Sequence, residues 1–398
     1  MRILTIGASP YLLTNLGKLH SDVIKYFKKA GHFVGSAVWH LDTTWFMGDE
    51  QNQFFYENND NKSELFPFVN MVEQSATMIY EIMKKFQPDI VISMGDYEEH
   101  TCISPVRTLY PQLFKWIGIF ALDALPVNQN EKEIIEGVDY AIATTKFGQK
   151  ELARFIGEDS KYLPYGPNKK IFKDLQISKN ENILKIINCS KNSQSANLGC
   201  FLQACSMYKN EDISTYLHTN IYDVGDYDIH LLLDRWGIEE DILLPERYVG
   251  LNDGYEEAEM NDIYNDCDVV VDVSVKSSIG ISILEGMTSG CIPVCTDVGA
   301  IGEVVHQLPE DCKFFVPSYE FLGKKEESYF IASHRGLSDK ITELYNIKID
   351  DIDRFNYIRK KCIEIASKYN NENFVLGLEK IVEEAAENNS KITIEDFV

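Results

Sequence analysis

In the run SIGISILEGMTSG, residues 278–290, a glycine and a glutamate five positions apart, Gly280 and Glu285, could together do chemistry on a ligand. The run restarts as a helix at Gly280 after small polar residues, and Glu285 falls about a turn and a half in, between Leu284 and Met287. A helix N-terminus leaves backbone N–H groups without intrahelical acceptors, and a residue with no Cβ lets an anion come close to the N–H groups of Gly280 and Ile281. A carboxylate set among apolar neighbours is costly unless something donates to it. An anion at one end and hydroxyl donors at the other describe a nucleotide: phosphate over Gly280, ribose against Glu285. The same pair also reads as a packing glycine and an internal ion-pair partner.

Other residues are candidates by position. Asp96 follows the apolar run Ile90–Met94 and Asp123 follows Trp116–Ala121, both at strand ends, where carboxylates either bind hydroxyls and move protons or cap the next helix. Asp96, Glu98, Glu99 and His100 also read as a metal cluster, but no second ligand group stands at ligand spacing. Lys191 is the only cation in the loop CSKNSQSANLG and serves either as a point charge for a diphosphate or as a solvated side chain. Asn15 and Gly17 lie in the loop after the first strand, which lacks GxGxxG and so gives no sign of a dinucleotide. Asp226 and Asp228 match a DxD pattern but precede a helix, the place of an N-terminal cap. The segment Trp39–Phe68, rich in aromatics and Asn/Asp, reads as a long loop able to form a sugar or base platform, or simply to pack over its domain.

These residues need strands and helices to hold them, and the chain supplies an alternation of both. Met1–Ile6, a helix closed by Gly31, and Phe33–Val38 make a first βαβ unit; Val138–Ala143, Ile183–Asn188, Ile213–His218, Val269–Val273 and Cys291–Cys295 continue the strands. A chain of 398 residues exceeds one ordinary core, and the stiff turn at Pro164, Gly166 and Pro167 with the polar stretch after it divides the chain in two. Ile341–Ala386 reads as mostly helical.

Composition narrows the function classes. With 62 acidic against 38 basic residues the net charge is −24, which disfavours non-specific attraction to nucleic acid or anionic lipid. Nine cysteines without a CxxC pair suggest reduced thiols and a cytoplasmic setting. The N-terminal apolar run is broken by Gly7, Ser9 and Pro10 and reads as a strand rather than a signal peptide, and no run of about 18 apolar residues offers a membrane span.

The run SIGISILEGMTSGCIPVCTDVGAIGEVV resembles the signature of retaining GT-B-fold glycosyltransferases of the glycogen-synthase-like and mannosyltransferase-like class, phage and archaeal members included, which usually reads E-G-F-G-L-P-x-L-E-A-M-A-x-G-x-P-V-V. Gly280 and Glu285 match it, which implies a diphosphate at the first and a ribose at the second. The signature's first Glu, which touches the donor sugar, is Ser277 here, and that contact does not carry over. PYGPNKKIF, residues 164–172, resembles the P-x-G-V-D-x-x-x-F that ends the first domain, with Asn168 for Asp. Where the class keeps an Arg and a Lys for the diphosphate, this chain has Lys191 alone. The resemblance implies an α/β fold of GT-B type: two Rossmann-like doubly wound domains facing across a cleft, an acceptor domain over 1–170, a nucleotide-sugar domain over 171–350, and C-terminal helices over 351–398 crossing back. It implies a retaining glycosyltransferase using a UDP- or GDP-linked sugar, with no metal or other cofactor. The acceptor stays open among glycan, protein and modified DNA base, the last disfavoured by charge. A catalytically silent nucleotide-sugar binder and a sugar-nucleotide epimerase on the same fold are the alternatives.

Overall fold

The computed structural model describes residues 1–39, 54–58, 61–67, 72–95, 97–111, 113–127, 129–157, 160–208, 212–222, 225–250, 254–324 and 326–387. The chain forms two compact units: unit 1 is Met1–Leu122, Val127–Tyr165 and Asn371–Val398, and unit 2 is Asp123–Pro126 and Gly166–Asn370.

Unit 1 is built on β1 (Arg2–Ala8), β2 (Phe33–Trp39), β3 (Phe54–Asn58), β4 (Asn61–Pro67), β5 (Ile90–Gly95), β6 (Lys115–Phe120), β7 (Tyr140–Ala143) and β8 (Lys161–Tyr162), in the order β3-β4-β2-β1-β5-β6-β7-β8. Every pairing is parallel except β3–β4. Apolar runs such as IVISMG in β5, buried throughout, are what a parallel strand covered on both faces requires. The segment expected to be a loop between Trp39 and Phe68 instead contributes the antiparallel pair β3–β4. Helix Asn15–Lys29 starts at Thr14, whose hydroxyl accepts from Gly17 N, and stops before Gly31 at φ +86°.

Beneath the first strand lies a buried polar chain. His20 Nδ1 is 2.7 Å from the Ala8 carbonyl and Nε2 is 2.7 Å from Thr5 Oγ1, which is in turn 2.7 Å from Ser36 Oγ. A carbonyl only accepts, so Nδ1 carries the proton and Thr5 donates to Nε2. Burial holds this imidazole neutral, its pKa lowered to about 4.

Unit 2 has β9 (Leu184–Cys189), β10 (Ile213–His218), β11 (Ile242–Leu243), β12 (Val269–Asp272), β13 (Ile292–Thr296) and β14 (Phe314–Val316), all parallel, in the order β11-β10-β9-β12-β13-β14. Counted along the chain this is 3-2-1-4-5-6, the doubly wound Rossmann order. A separate antiparallel hairpin follows, β15 (Ser318–Leu322) and β16 (Ser328–Ala332), which the sequence reading does not anticipate. The helices expected over 351–398 divide between the units. Ile352–Ala366 buries Phe355, Ile358 and Cys362 in the core of unit 2, whereas Asn371–Glu387 buries Phe374, Leu378 and Val382 in unit 1, beside helix Asn15–Lys29. Among the described residues no helix is long and apolar enough to cross a membrane.

Candidate functional site

In unit 2 the strand order reverses between β9 and β12, which pair directly in the sheet, Val270 beside Ile187, although residues 190–268 lie between them in the chain.

 The intervening residues, 190–268, run out over one side of the sheet through β10 and β11 before the chain returns at β12 and proceeds to the other side. Loops leaving β9 and β12 therefore part in opposite directions, and such a switch point is where open parallel sheets hold ligands at their carboxyl ends. Lys191 leaves β9, and the 273–280 loop with helix Ile281–Thr288 leaves β12.

The two loops are stitched together. Asn188 Nδ2 donates to the Val271 carbonyl at 3.0 Å, Asn197 Nδ2 to Val273 O at 3.3 Å, and Val275 N to Ser195 O at 2.9 Å. Asp272, which the sequence reading passed over, ends β12 and turns the chain. Its carboxylate accepts from Ser274 N at 3.0 Å and from Ser282 Oγ at 3.4 Å, tying strand end, loop and first helical turn. Burial raises the Asp272 pKa above the usual aspartate value, and those donors oppose the shift. Ser277 is half-buried, and its carbonyl accepts from Ala300 N at 3.0 Å, so the backbone anchors this residue.

Gly280 is the N-cap of the helix and is left-handed, φ +67° and ψ +36°, a conformation glycine adopts without penalty. A glycine brings no side chain to cap the helix, so the first-turn N–H groups, Ile281 among them, have neither an intrahelical acceptor nor a capping oxygen from that residue. Glu285 is only 3% exposed, and Tyr264 Oη donates to its Oε2 at 3.3 Å. Tyr264, fully buried on helix Glu257–Asp266, gives this carboxylate a neutral partner. Lys191 is exposed, its ammonium carried on a loop pinned by Asn192, whose Nδ2 donates to Tyr227 O at 2.8 Å. Asp228 caps helix Ile229–Trp236 by accepting from Leu231 N at 3.0 Å, as its position before that helix suggested.

Asp123 belongs to unit 2 and meets this loop. Its carboxylate lies 2.6 Å from Lys276 Nζ, and the nearby Leu125 carbonyl accepts from Ser328 N at 2.7 Å. The residue expected to move protons is thus engaged by a lysine next to Ser277. Asp96 lies outside the described residues. His100, four positions on, is buried, its Nδ1 at 2.7 Å from Ser93 Oγ. In unit 1, Asn15 is the exposed first residue of its helix, while Gly17 is buried, and a Cβ there would stand 2.2 Å from the Leu12 carbonyl. Gly17 therefore serves close packing.

The loops that leave β9 and β12 at the switch point carry Lys191 and Ser277, and Gly280, Ile281 and Glu285 follow on the helix after β12, with Asp123 attached through Lys276. Residues 191–325 match the family described as Glycosyl transferases group 1. No curated protein sequence matches the chain. Among solved structures, it resembles sucrose-phosphate synthase from Thermosynechococcus elongatus at 13% identity and a TM-score of 0.74, with 96% of this chain and 98% of that one covered. It also resembles HepE of Anabaena, solved with UDP-glucose, at 15% identity and a TM-score of 0.70 over 96% and 100% of the two chains. A third likeness is to the pneumococcal O-GlcNAc transferase GtfA, solved with UDP and GlcNAc, at 12% identity and a TM-score of 0.64 over 97% and 99%. The fold is GT-B, and the residues that match the group 1 glycosyltransferase family, 191–325, include Lys191, the 273–280 loop and Glu285.

Proposed function

We propose that the protein transfers a sugar from a nucleotide-diphosphate donor, with retention and without a metal ion. The observation that carries this reading is the placement, on one helix at the β9–β12 switch point, of a glycine N-cap at Gly280 and a buried carboxylate at Glu285. The first suits a phosphate and the second suits ribose hydroxyls. Lys191 supplies a point charge to the diphosphate, and the N–H groups of Gly280 and Ile281 stabilise the negative charge that grows as the glycosidic bond to phosphate breaks. The acceptor hydroxyl attacks the anomeric carbon from the face the diphosphate leaves. Its oxygen forms the new bond, the electron pair of the old one departs with the phosphate, and the hydroxyl proton passes to the departing phosphate oxygen or to Asp96.

UDP is the favoured nucleotide and GDP the runner-up, in keeping with the uridine ligands named for HepE and GtfA. Nine free cysteines, eight of them buried, fit a reducing, cytoplasmic setting. A catalytically silent nucleotide-sugar binder is the second reading, favoured by the engagement of Asp123 with Lys276 and by a serine at position 277. Incubation with a panel of UDP- and GDP-sugars, reading released nucleotide, decides between them. Release above the rate of a no-protein control supports transfer, and binding without release supports the silent protein.

A further inference from the structure

The β15–β16 hairpin has an aromatic face directed away from the core. Its register sets Tyr319 opposite Ile331 and Phe321 opposite Tyr329, so these four side chains share one face. Tyr319 is 75% exposed, Ile331 44% and Phe321 41%, and the Phe321 and Tyr329 rings lie 5.3 Å apart at 56°. The opposite face carries Phe330, packed against the core of unit 2.

This hairpin also braces the loop that leaves β12. Phe330 N donates to the Val275 carbonyl at 3.0 Å, and Lys276 Nζ stands 5.6 Å from the Tyr329 ring centroid. The Tyr329 end of the aromatic face therefore adjoins the loop of the candidate donor site. Tyr329 Oη donates to Glu327 Oε1 at 2.6 Å, placing a phenol and a carboxylate at its rim.

We infer that this face is a stacking subsite for a neutral carbohydrate acceptor, an inference that rests on the glycosyltransferase reading. Flat aromatic surfaces with polar tips suit sugar rings, which present apolar C–H faces bordered by hydroxyls. Four side chains offer on the order of a few hundred Å², well below the roughly 1,000 Å² that a stable protein interface needs. A net charge of −24 disfavours an anionic lipid surface or nucleic acid as the occupant.

The test uses the full chain with lactose, maltotriose, cellotriose and chitotriose as probes. Saturation-transfer NMR reads their binding, and nucleotide release from UDP-sugars reads their use as acceptors. At least one probe should bind, and Tyr319→Ala and Phe321→Ala should each raise its KM by about tenfold with kcat changed by less than about twofold, while Tyr319→Phe retains most of the affinity. Equal probe binding by wild type and the double alanine variant overturns the inference. So does a face that binds no probe in a protein that binds UDP-sugar, or one whose alanine variants lose self-association by light scattering instead. If no nucleotide sugar binds at all, the donor reading fails separately, and saccharide binding by NMR still reports on the hairpin.

Discussion

Replacing Glu285 separates a ligand-binding carboxylate from a structural one. Glu285→Ala leaves the hydroxyl of fully buried Tyr264 without its carboxylate acceptor, a loss of about 1–3 kcal/mol. At roughly 2–4 °C per kcal/mol for a unit of this size, melting should fall by several degrees before any ligand is added. Glu285→Gln is the sharper variant, because its amide oxygen still accepts from Tyr264 and its volume is nearly unchanged, so the ligand-free melting point should stay near wild type. What it loses is the charge that strengthens hydrogen bonds from ribose hydroxyls, about 1.5–3 kcal/mol, or roughly 10- to 150-fold in Kd. UDP at about 100 times the wild-type Kd should stabilise the wild type by about 2.7 kcal/mol; after a 30-fold loss of affinity the same concentration gives about 0.9 kcal/mol. Differential scanning fluorimetry with UDP and with GDP, checked by titration calorimetry, reads both quantities. A Glu285→Gln protein that melts as low as the alanine variant yet keeps the full nucleotide shift would refute the assignment.

Other expectations follow from the same geometry. Asp123→Asn breaks an ion pair whose partners are 27% and 31% exposed, so stability should change by less than about 1 kcal/mol, while KM for the nucleotide sugar rises several-fold; a kcat loss of about 100-fold with KM unchanged would make Asp123 an acid–base group instead. Lys191→Gln should weaken UDP binding about tenfold at low salt and less at high salt, and Lys191→Arg should restore most of it; salt-independent loss would point to loop disruption. Gly280→Ala forces a Cβ into a left-handed residue and within 3.2 Å of Ile301 Cγ2, at a cost of about 1–2 kcal/mol, with nucleotide affinity falling too, and an unchanged melting point would show that the loop adapts. His20 is neutral when folded, with its pKa lowered to about 4, so the unfolded chain binds a proton that the folded one refuses between about pH 6.5 and 4. Its contribution is complete above that window and is lost as pH falls, about 2 kcal/mol by pH 5, and denaturation of His20→Gln should show a shallower loss over the same range.

The switch-point motif was legible because its parts are local. Val269–Val273 is apolar except for Asp272, Gly280 marks a helix start, and the observed β12 and helix Ile281–Thr288 depart from the expected bounds by about a residue. The two hairpins were hidden for a different reason. In β15, SYEFL alternates over only five residues, and its exposed aromatics resemble loop composition as much as strand. Contacts between distant residues carry no local signal: Tyr264 reaches Glu285 from a neighbouring helix, and Asp123 meets Lys276 from far along the chain. The packing around Gly17 was hidden too, because sequence shows an absent Cβ without showing the Leu12 carbonyl that occupies its place.

The division of the chain between the units bears on how the protein is made. Asp123–Pro126 leaves the ribosome well before the strands of unit 2 with which it packs, and a fragment spanning 166–370 would hold the whole second sheet yet lack the partner of Lys276. Unit 1 waits in the opposite sense, since its helix Asn371–Glu387, with Phe374, Leu378 and Val382, emerges last. Its hydrophobic surface beside helix Asn15–Lys29 stays uncovered throughout the synthesis of unit 2. A stop codon near residue 370 would then expose that surface in an otherwise finished chain, and the truncated protein should aggregate or depend on chaperones although every strand of both sheets is present.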